Sequence, residues 1–401
     1  MYRGAGRGGK LAIGLALSVA ALTAARWGVD IFHGHEELFV LSVIAMLLAG
    51  SSLIADAIGV AAAVVELVLG VGAGVLGLES NEALEVLALV GSVFIMYVAG
   101  LEIDPRLLRR YLVPSMGSGL VGLLVPTAVV YVLLRFMGYG PEASLLVGIA
   151  LSATSVAIVF AIVKKWGMTR SVLGQIIISA SMIIDIGGVL GFVLVTAGLD
   201  LLIVLYMIGL VAAVYLFARF LRYAAGGENE VELRLIIAFL LAVSLVGEKI
   251  GVHAILFAFL LGIATRDVIL HDKALEEKVA GLTFGLLAPI FFISAGLHSA
   301  PKNITGLLSD ALLLFAVSYV VQVVVVHYAL RFLTGRRIRA RLSHVFGAKL
   351  TVSTIIAYTG STLGILDERL AGVIIVAAIL STITSAIATG TRVRAELEDV
   401  Y

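Results

Sequence analysis

None of the 401 residues is cysteine. That excludes disulfides, thiol catalysis and thiolate metal sites. Charge is scarce too: Asp, Glu, Lys and Arg make up 14% of the chain, against about 25% in soluble domains. With 61% hydrophobic residues and a mean hydropathy of +1.12, a water-soluble fold of this size has nowhere to hide its apolar surface. An all-α, polytopic protein embedded in a lipid bilayer is therefore expected. The net charge of +1 offers nothing to nucleic acid, and no nucleic-acid partner is expected. Prolines number only 6 against 43 glycines. In membrane helices glycine permits close backbone approach and local unwinding. The pair His33 and His35 lies in a polar loop without the spacing or partners of a metal site.

Hydrophobic runs bounded by charges or turn residues fall at 11–27, 38–57, 59–77, 84–103, 112–137, 142–163, 171–199, 201–218, 233–247, 250–265, 281–297, 309–330, 343–365 and 370–390. They predict about 13–14 transmembrane helices. If the helices alternate from a cytoplasmic N-terminus, 22 of the 28 Lys and Arg residues fall on the inner side and 5 on the outer. Such a bias supports both the helix count and a cytoplasmic C-terminus in the plasma membrane. Residues 1–37 read as an extra N-terminal helix or a signal-like segment, with the helix favoured. The transporting domain is expected at 38–390, and 391–401 as a short cytoplasmic tail. The polar stretch RYAAGGENEVELR is where a chain of two similar halves would be joined.

Between Ser171 and Leu199 a single residue can carry charge, Asp185. A carboxylate near the bilayer midplane is costly unless it faces water, a partner or a passing ion, and such residues mark ion or proton pathways. Transport is the function this residue implies. In the preceding run Ser152, Thr154 and Ser155 flank Ala153. Hydroxyls there can support a broken helix that exposes carbonyls to a cation, or simply bond back within an intact one. A second polar run, GAKLTVSTIIAYTGSTLG, carries Lys349, Thr351, Ser353 and Thr354. Two broken helices at corresponding places in two halves point to a transporter's ion site. Lys349 lies near the cytoplasmic start of its run, where snorkelling is the plain alternative. Glu66 is another isolated membrane acid, lining an ion path or bonding between helices. Glu102, at the inner edge, reads as a partner of Arg106, and Glu248 beside Lys249 as solvated. Gln322 and His327 interrupt an otherwise apolar helix, and Ser181 precedes Asp185 by one turn.

The block SATSVAIVFAIVKKWGMTRSVLGQIIISASMIIDIGGVLG resembles the paired fourth- and fifth-helix signature of the monovalent cation:proton antiporters. More narrowly, it resembles their bacterial and archaeal sodium/proton exchanger branch. VVELVLGVGAGVLGL, LVGSVFIMYVAGLEIDPRLLRR, GVHAILFAFLLGIATRDV and LLAPIFFISAGL agree in order, so the resemblance spans nearly all of 38–390. It implies inverted repeats with two crossing discontinuous helices, a core moving against a dimerisation domain, and a homodimer. Carried over, Asp185 matches the aspartate that binds Na+ or a proton in turn. Thr154 and Ser155 match the extended break beside it, and Glu66 a glutamate of the early Gly-rich helix. Two departures stand out. Ile184 occupies the place of the family's first acidic or amide residue. The helix over 309–330 has no lysine, Gln322 or Val324 being nearest.

One carboxylate that takes either H+ or a cation, never both, predicts electroneutral exchange by alternating access. No catalytic residue and no resident cofactor are expected, since Na+ and H+ are cargo. The alternative is a sodium-coupled symporter of a small organic solute. A channel would need a repeated filter motif, and an intramembrane aspartyl protease a second deep aspartate. Neither is present.

Overall fold

Lipid offers a backbone no hydrogen-bond partners, so an apolar run that crosses it closes its bonds within itself as a helix. A computed structural model describes residues 7–27, 36–58, 61–102, 110–168, 171–197, 201–224, 230–250, 254–298, 304–335 and 337–389. Among these, no strand occurs and every expected run falls on a helix or a helix pair. The elements are α1 (Arg7–Trp27), α2 (Glu36–Ile58), α3 (Ala62–Val75), α4 (Glu82–Glu102), α5 (Leu112–Phe136), α6 (Pro141–Ser152), α7 (Val156–Lys165), α8 (Val172–Ala197), α9 (Leu201–Ala224) and α10 (Val231–Ile250). There follow α11 (Ala254–His271), α12 (Lys273–Leu282), a π turn (Thr283–Leu287) running into α13 (Ala288–His298), and α14 (Ile304–Thr334). The last are α15 (Ala340–Ser343), a 3-10 turn (His344–Gly347), α16 (Thr351–Thr362) and α17 (Glu368–Ala388). Eight helices among the described residues are long and apolar enough to cross a membrane, and α3 and α6 are shorter apolar helices. His33, His35, Arg106 and the tail 391–401 lie outside the described residues, as do the side chains of Glu248 and Lys249.

The packing repeats itself. Helix α4 packs on α11 as α3 packs on α13, and α14 packs on α5. Both of the first two crossings are glycine on glycine. A Cβ on Gly100 would lie 2.1 Å from the Phe259 carbonyl oxygen and 3.0 Å from Gly262 Cα. One on Gly296 would lie 2.4 Å from the Leu67 oxygen and 3.1 Å from Gly70 Cα. No other residue tolerates that approach. The sequences around them match in pairs, YVAGLE with FISAGLH and LVLG with FLLG. The five segments from α3 to α8 thus correspond in order to the five from α11 to α17. Helices α9 and α10 stand between the two sets, so the polar linker expected to join the halves joins those two helices instead.

The first repeat breaks between α6 and α7, where Ala153 takes an extended backbone (φ −57°, ψ 144°). The second breaks before α16, where Leu350 sits at φ −140°, ψ −66°. The two breaks meet: the Ser155 N–H donates to the Ala348 carbonyl at 2.8 Å. That contact brings the two polar runs together.

Candidate ion site at the crossing of two broken helices

A helix that stops inside a membrane leaves carbonyls at its C-terminus and N–H groups at the next N-terminus without partners. Here three carbonyls of the last turn of α6 are each met by a different side chain. Ser353 Oγ donates to the Ala150 oxygen at 2.6 Å, and Lys349 Nζ donates to the Leu151 oxygen. Gln322 Nε2 donates to the Ser152 oxygen at 2.8 Å and to Thr154 Oγ1 at 3.2 Å. Lys349 also donates to Gln322 Oε1. A cation at the negative end of a helix dipole is well placed. Lys349 and Gln322 are fully buried, so Lys349 turns inward to the crossing rather than snorkelling to the surface.

The positive end faces an acid. Asp185, on α8, is 4% exposed, and its Oδ2 accepts from the Val156 N–H at the start of α7 at 3.4 Å. Its Oδ1 is buried and makes no hydrogen bond. A buried carboxylate oxygen left over in this way is suited to a proton or a small cation, the two species that would satisfy it. Thr154 and Ser155 complete the surroundings. Thr154 Oγ1 donates to the Phe346 oxygen at 3.4 Å, and Ser155 Oγ lies 3.4 Å from Thr351 Oγ1. Asp185, Thr154, Ser155, Lys349, Thr351 and Gln322 therefore gather at one crossing from four segments distant in sequence. Ile184, beside the acid, is fully buried in the hydrophobic core.

Three other candidates lie elsewhere. Glu66 is buried beside Ser51 at the packing of α3 on α2. His327 Nδ1 is 3.2 Å from Ser343 Oγ and ties α14 to α15. The Ser181 hydroxyl donates to Ile178 within its own helix at 2.7 Å.

Two further residues were not read as part of the site: Thr382 was passed over, and Glu102 was read as a partner of Arg106. Thr382 on α17 accepts from the Lys349 N–H at 3.2 Å and donates to the Lys349 carbonyl at 2.9 Å. It holds the second break as Asp185 holds the first. A comparison of LGQIIISASMIID with LAGVIIVAAILST, which sets Thr382 opposite Asp185, was the available signal. Glu102 is the other. A cavity of about 330 Å³ reaches from Glu102, Arg266 and Glu276 inward to Met182 and Val156. Val156 is the residue whose N–H meets Asp185, so the cavity ends against the site. Nothing in a lone acid at a helix end distinguishes this role from surface pairing.

Residues 43–391 match the family model described as sodium/hydrogen exchanger, transmembrane. Among curated proteins the chain is similar to probable Na(+)/H(+) antiporter 3 of Methanocaldococcus jannaschii, 29% identical over 77% of this chain and 83% of that one. It is also similar to the Na(+)/H(+)-K(+) antiporter GerN of Bacillus cereus, 28% identical over 79% and 86%. Among solved structures, the sodium proton antiporter MjNhaP1 of Methanocaldococcus jannaschii at pH 8 aligns over 91% of this chain and 98% of its own, with TM-score 0.60 and 13% identity. An electron-microscopy structure of that antiporter gives TM-score 0.68 and 15% identity over 92% and 99%. With crossed, interrupted helices around a lone buried aspartate, and a family model matched along most of its length, the chain belongs to the sodium/hydrogen exchanger family.

Proposed function

We propose that this protein exchanges a monovalent cation, Na+ in the first instance, for H+ across the membrane by alternating access at Asp185. The observation that carries this is the unpartnered Oδ1 of a buried aspartate held at a helix break. Burial favours the protonated carboxyl and a nearby cation favours the ionised one. Proton and cation therefore compete for the same two oxygens. Moving the occupied site from one face to the other converts the gradient of one ion into that of the other.

Lys349 has a separate task. Its bonds go to the Leu151 carbonyl and to Gln322, so it serves as a resident charge at the end of α6 rather than as the aspartate's ion-pair partner. With one exchanging carboxylate and Ile184 where a second acid would stand, the cycle moves one proton per cation and is electroneutral. Thr154, Ser155 and Thr351 supply oxygens close to the carboxylate. Glu66, Ser181 and His327 support the helices. The curated relatives named above are antiporters, and symport of an organic solute finds no support among them. A homodimer in the plasma membrane, with the C-terminus in the cytoplasm, completes the reading. The test is proton flux in proteoliposomes under imposed Na+, K+ and Li+ gradients, wild type against Asp185→Asn. Cation-driven proton movement lost in the variant supports exchange at Asp185. Flux that survives the substitution refutes it.

A further inference from the structure

The cavity at Glu102 opens one end of the path, and the repeat says where the other end lies. Glu102 stands two residues beyond Gly100, which crosses Gly262. Its counterpart two residues beyond Gly296, at the matching glycine crossing, is His298. Helices α4 and α13 run in opposite senses across the fold, so the two residues face opposite ends. His298 is not solitary. Its Nε2 lies 3.7 Å from Glu85 Oε1 in the first turn of α4. Its Nδ1 lies 3.1 Å from the Ser294 carbonyl. Its ring meets Tyr358 edge-on, with centroids 5.2 Å apart at 79°. Tyr358 belongs to α16, the half-helix leading away from the second break, and is 6% exposed. Behind it the fully buried Phe291 packs edge-on at 5.7 Å. Aromatic edge-to-face contacts and a carboxylate–imidazole pair thus bridge α4, α13 and the half-helix α16 at the end opposite the Glu102 cavity.

We infer that Glu85, His298 and Tyr358 form the gate that closes the ion path on the face opposite Glu102, and that they separate when the site turns to that face. This rests on the exchange reading above, and it assigns to these residues the positioning of the two access states. The Glu85–His298 pair joins the first repeat to the second, and the contacts of Tyr358 with His298 and Phe291 join α16 to α13. The path on this face cannot open while those contacts hold.

The absence of cysteine makes the test direct. Ser294 is fully buried, one turn from His298, and Ser294→Cys reports access from the Glu85 face to an impermeant maleimide. Met182→Cys, in the Glu102 cavity, reports access from the other. His298→Ala and Glu85→Ala are expected to speed labelling at position 294 by about tenfold, as the loss of one polar contact shifts a two-state balance, and to slow it at 182. The reciprocal change is decisive, because general loosening accelerates both reporters. Unchanged labelling at 294, or acceleration at both positions, overturns the gate. Should either alanine variant fail to fold, His298→Gln and Glu85→Gln carry the same two outcomes. Asp185→Asn, assayed separately, tells a failed gate from a failed exchanger: it bears on flux and leaves the labelling pattern readable.

Discussion

The two helix breaks are built on one plan and filled with different chemistry. At the first, a carboxylate on α8 meets the N–H of Val156 and keeps an oxygen in reserve. At the second, a threonine on α17 bonds both the N–H and the carbonyl of Lys349 and closes the backbone upon itself. The negative charge sits at the start of α7, the positive one at the end of α6, and each meets the helix dipole of opposite sign. On the exchange proposed above, the first break is left open for the exchanging ion, and the second is closed by Thr382 and contributes the Lys349 amine. The proposed exchange therefore needs an acid in only one repeat.

The largest effect should come from the open break. Asp185→Asn keeps the shape and removes the exchangeable charge, and proton flux driven by cation gradients is expected to vanish with folding intact. Dequenching of a pH dye in proteoliposomes, beside a thermal melt of the purified protein, reads both halves of that statement. Next is Lys349→Met, which leaves the Leu151 carbonyl and Gln322 without their donor. A buried polar group losing its partner costs about 1–3 kcal/mol. Here the melting temperature should fall together with the flux, and Lys349→Arg should rescue only in part because its planar fork needs a different geometry. A Lys349→Met variant with wild-type stability would erase the distinction between the two breaks.

Charge movement sharpens the same contrast. With a single exchanging carboxylate, solid-supported membrane recordings are expected to show no sustained current under balanced pH, whatever the cation flux. A current scaling with flux would mean that Lys349 gives up its proton in the cycle and is not a resident charge. Smaller effects follow at the edges. Thr382→Val removes two bonds to the Lys349 backbone, about 1 kcal/mol each, and should slow exchange a few-fold without altering ion preference. Glu102→Gln should raise the apparent KM for the cation about two- to five-fold at low ionic strength, with the difference shrinking in high salt as screening removes the attraction. Equal KM values in both buffers would remove Glu102 from the path.

Much of this was legible before any coordinates. The helical spans followed from apolar runs, because lipid permits little else, and Asp185 from the cost of a lone carboxylate among them. Thr154 and Ser155 were marked by hydroxyls in mid-membrane, and Gln322 by one amide in an apolar helix. Lys349 was visible as a residue but not as a partner: a lysine near the start of a run looks the same whether its amine reaches headgroups or a carbonyl 198 residues away in sequence. The helix over 309–330 indeed carries no lysine, and the lysine at the crossing comes from the second polar run, where its amine meets Leu151 and Gln322. Glu66, equally conspicuous in sequence, packs beside Ser51 on another pair of helices.

By itself the sequence determined the solvent and the helical class and marked Asp185 and the two polar runs, since each is a matter of local composition weighed against the bilayer. Tertiary structure alone decided which polar groups share the crossing and which serve only packing. Distances between helices are set by glycine contacts such as Gly100 on Gly262 and Gly296 on Gly70. Those contacts hold α4 to α11 and α13 to α3, while the meeting of the two breaks at Ser155 and Ala348 decides whether a buried lysine finds a carbonyl, an amide or nothing.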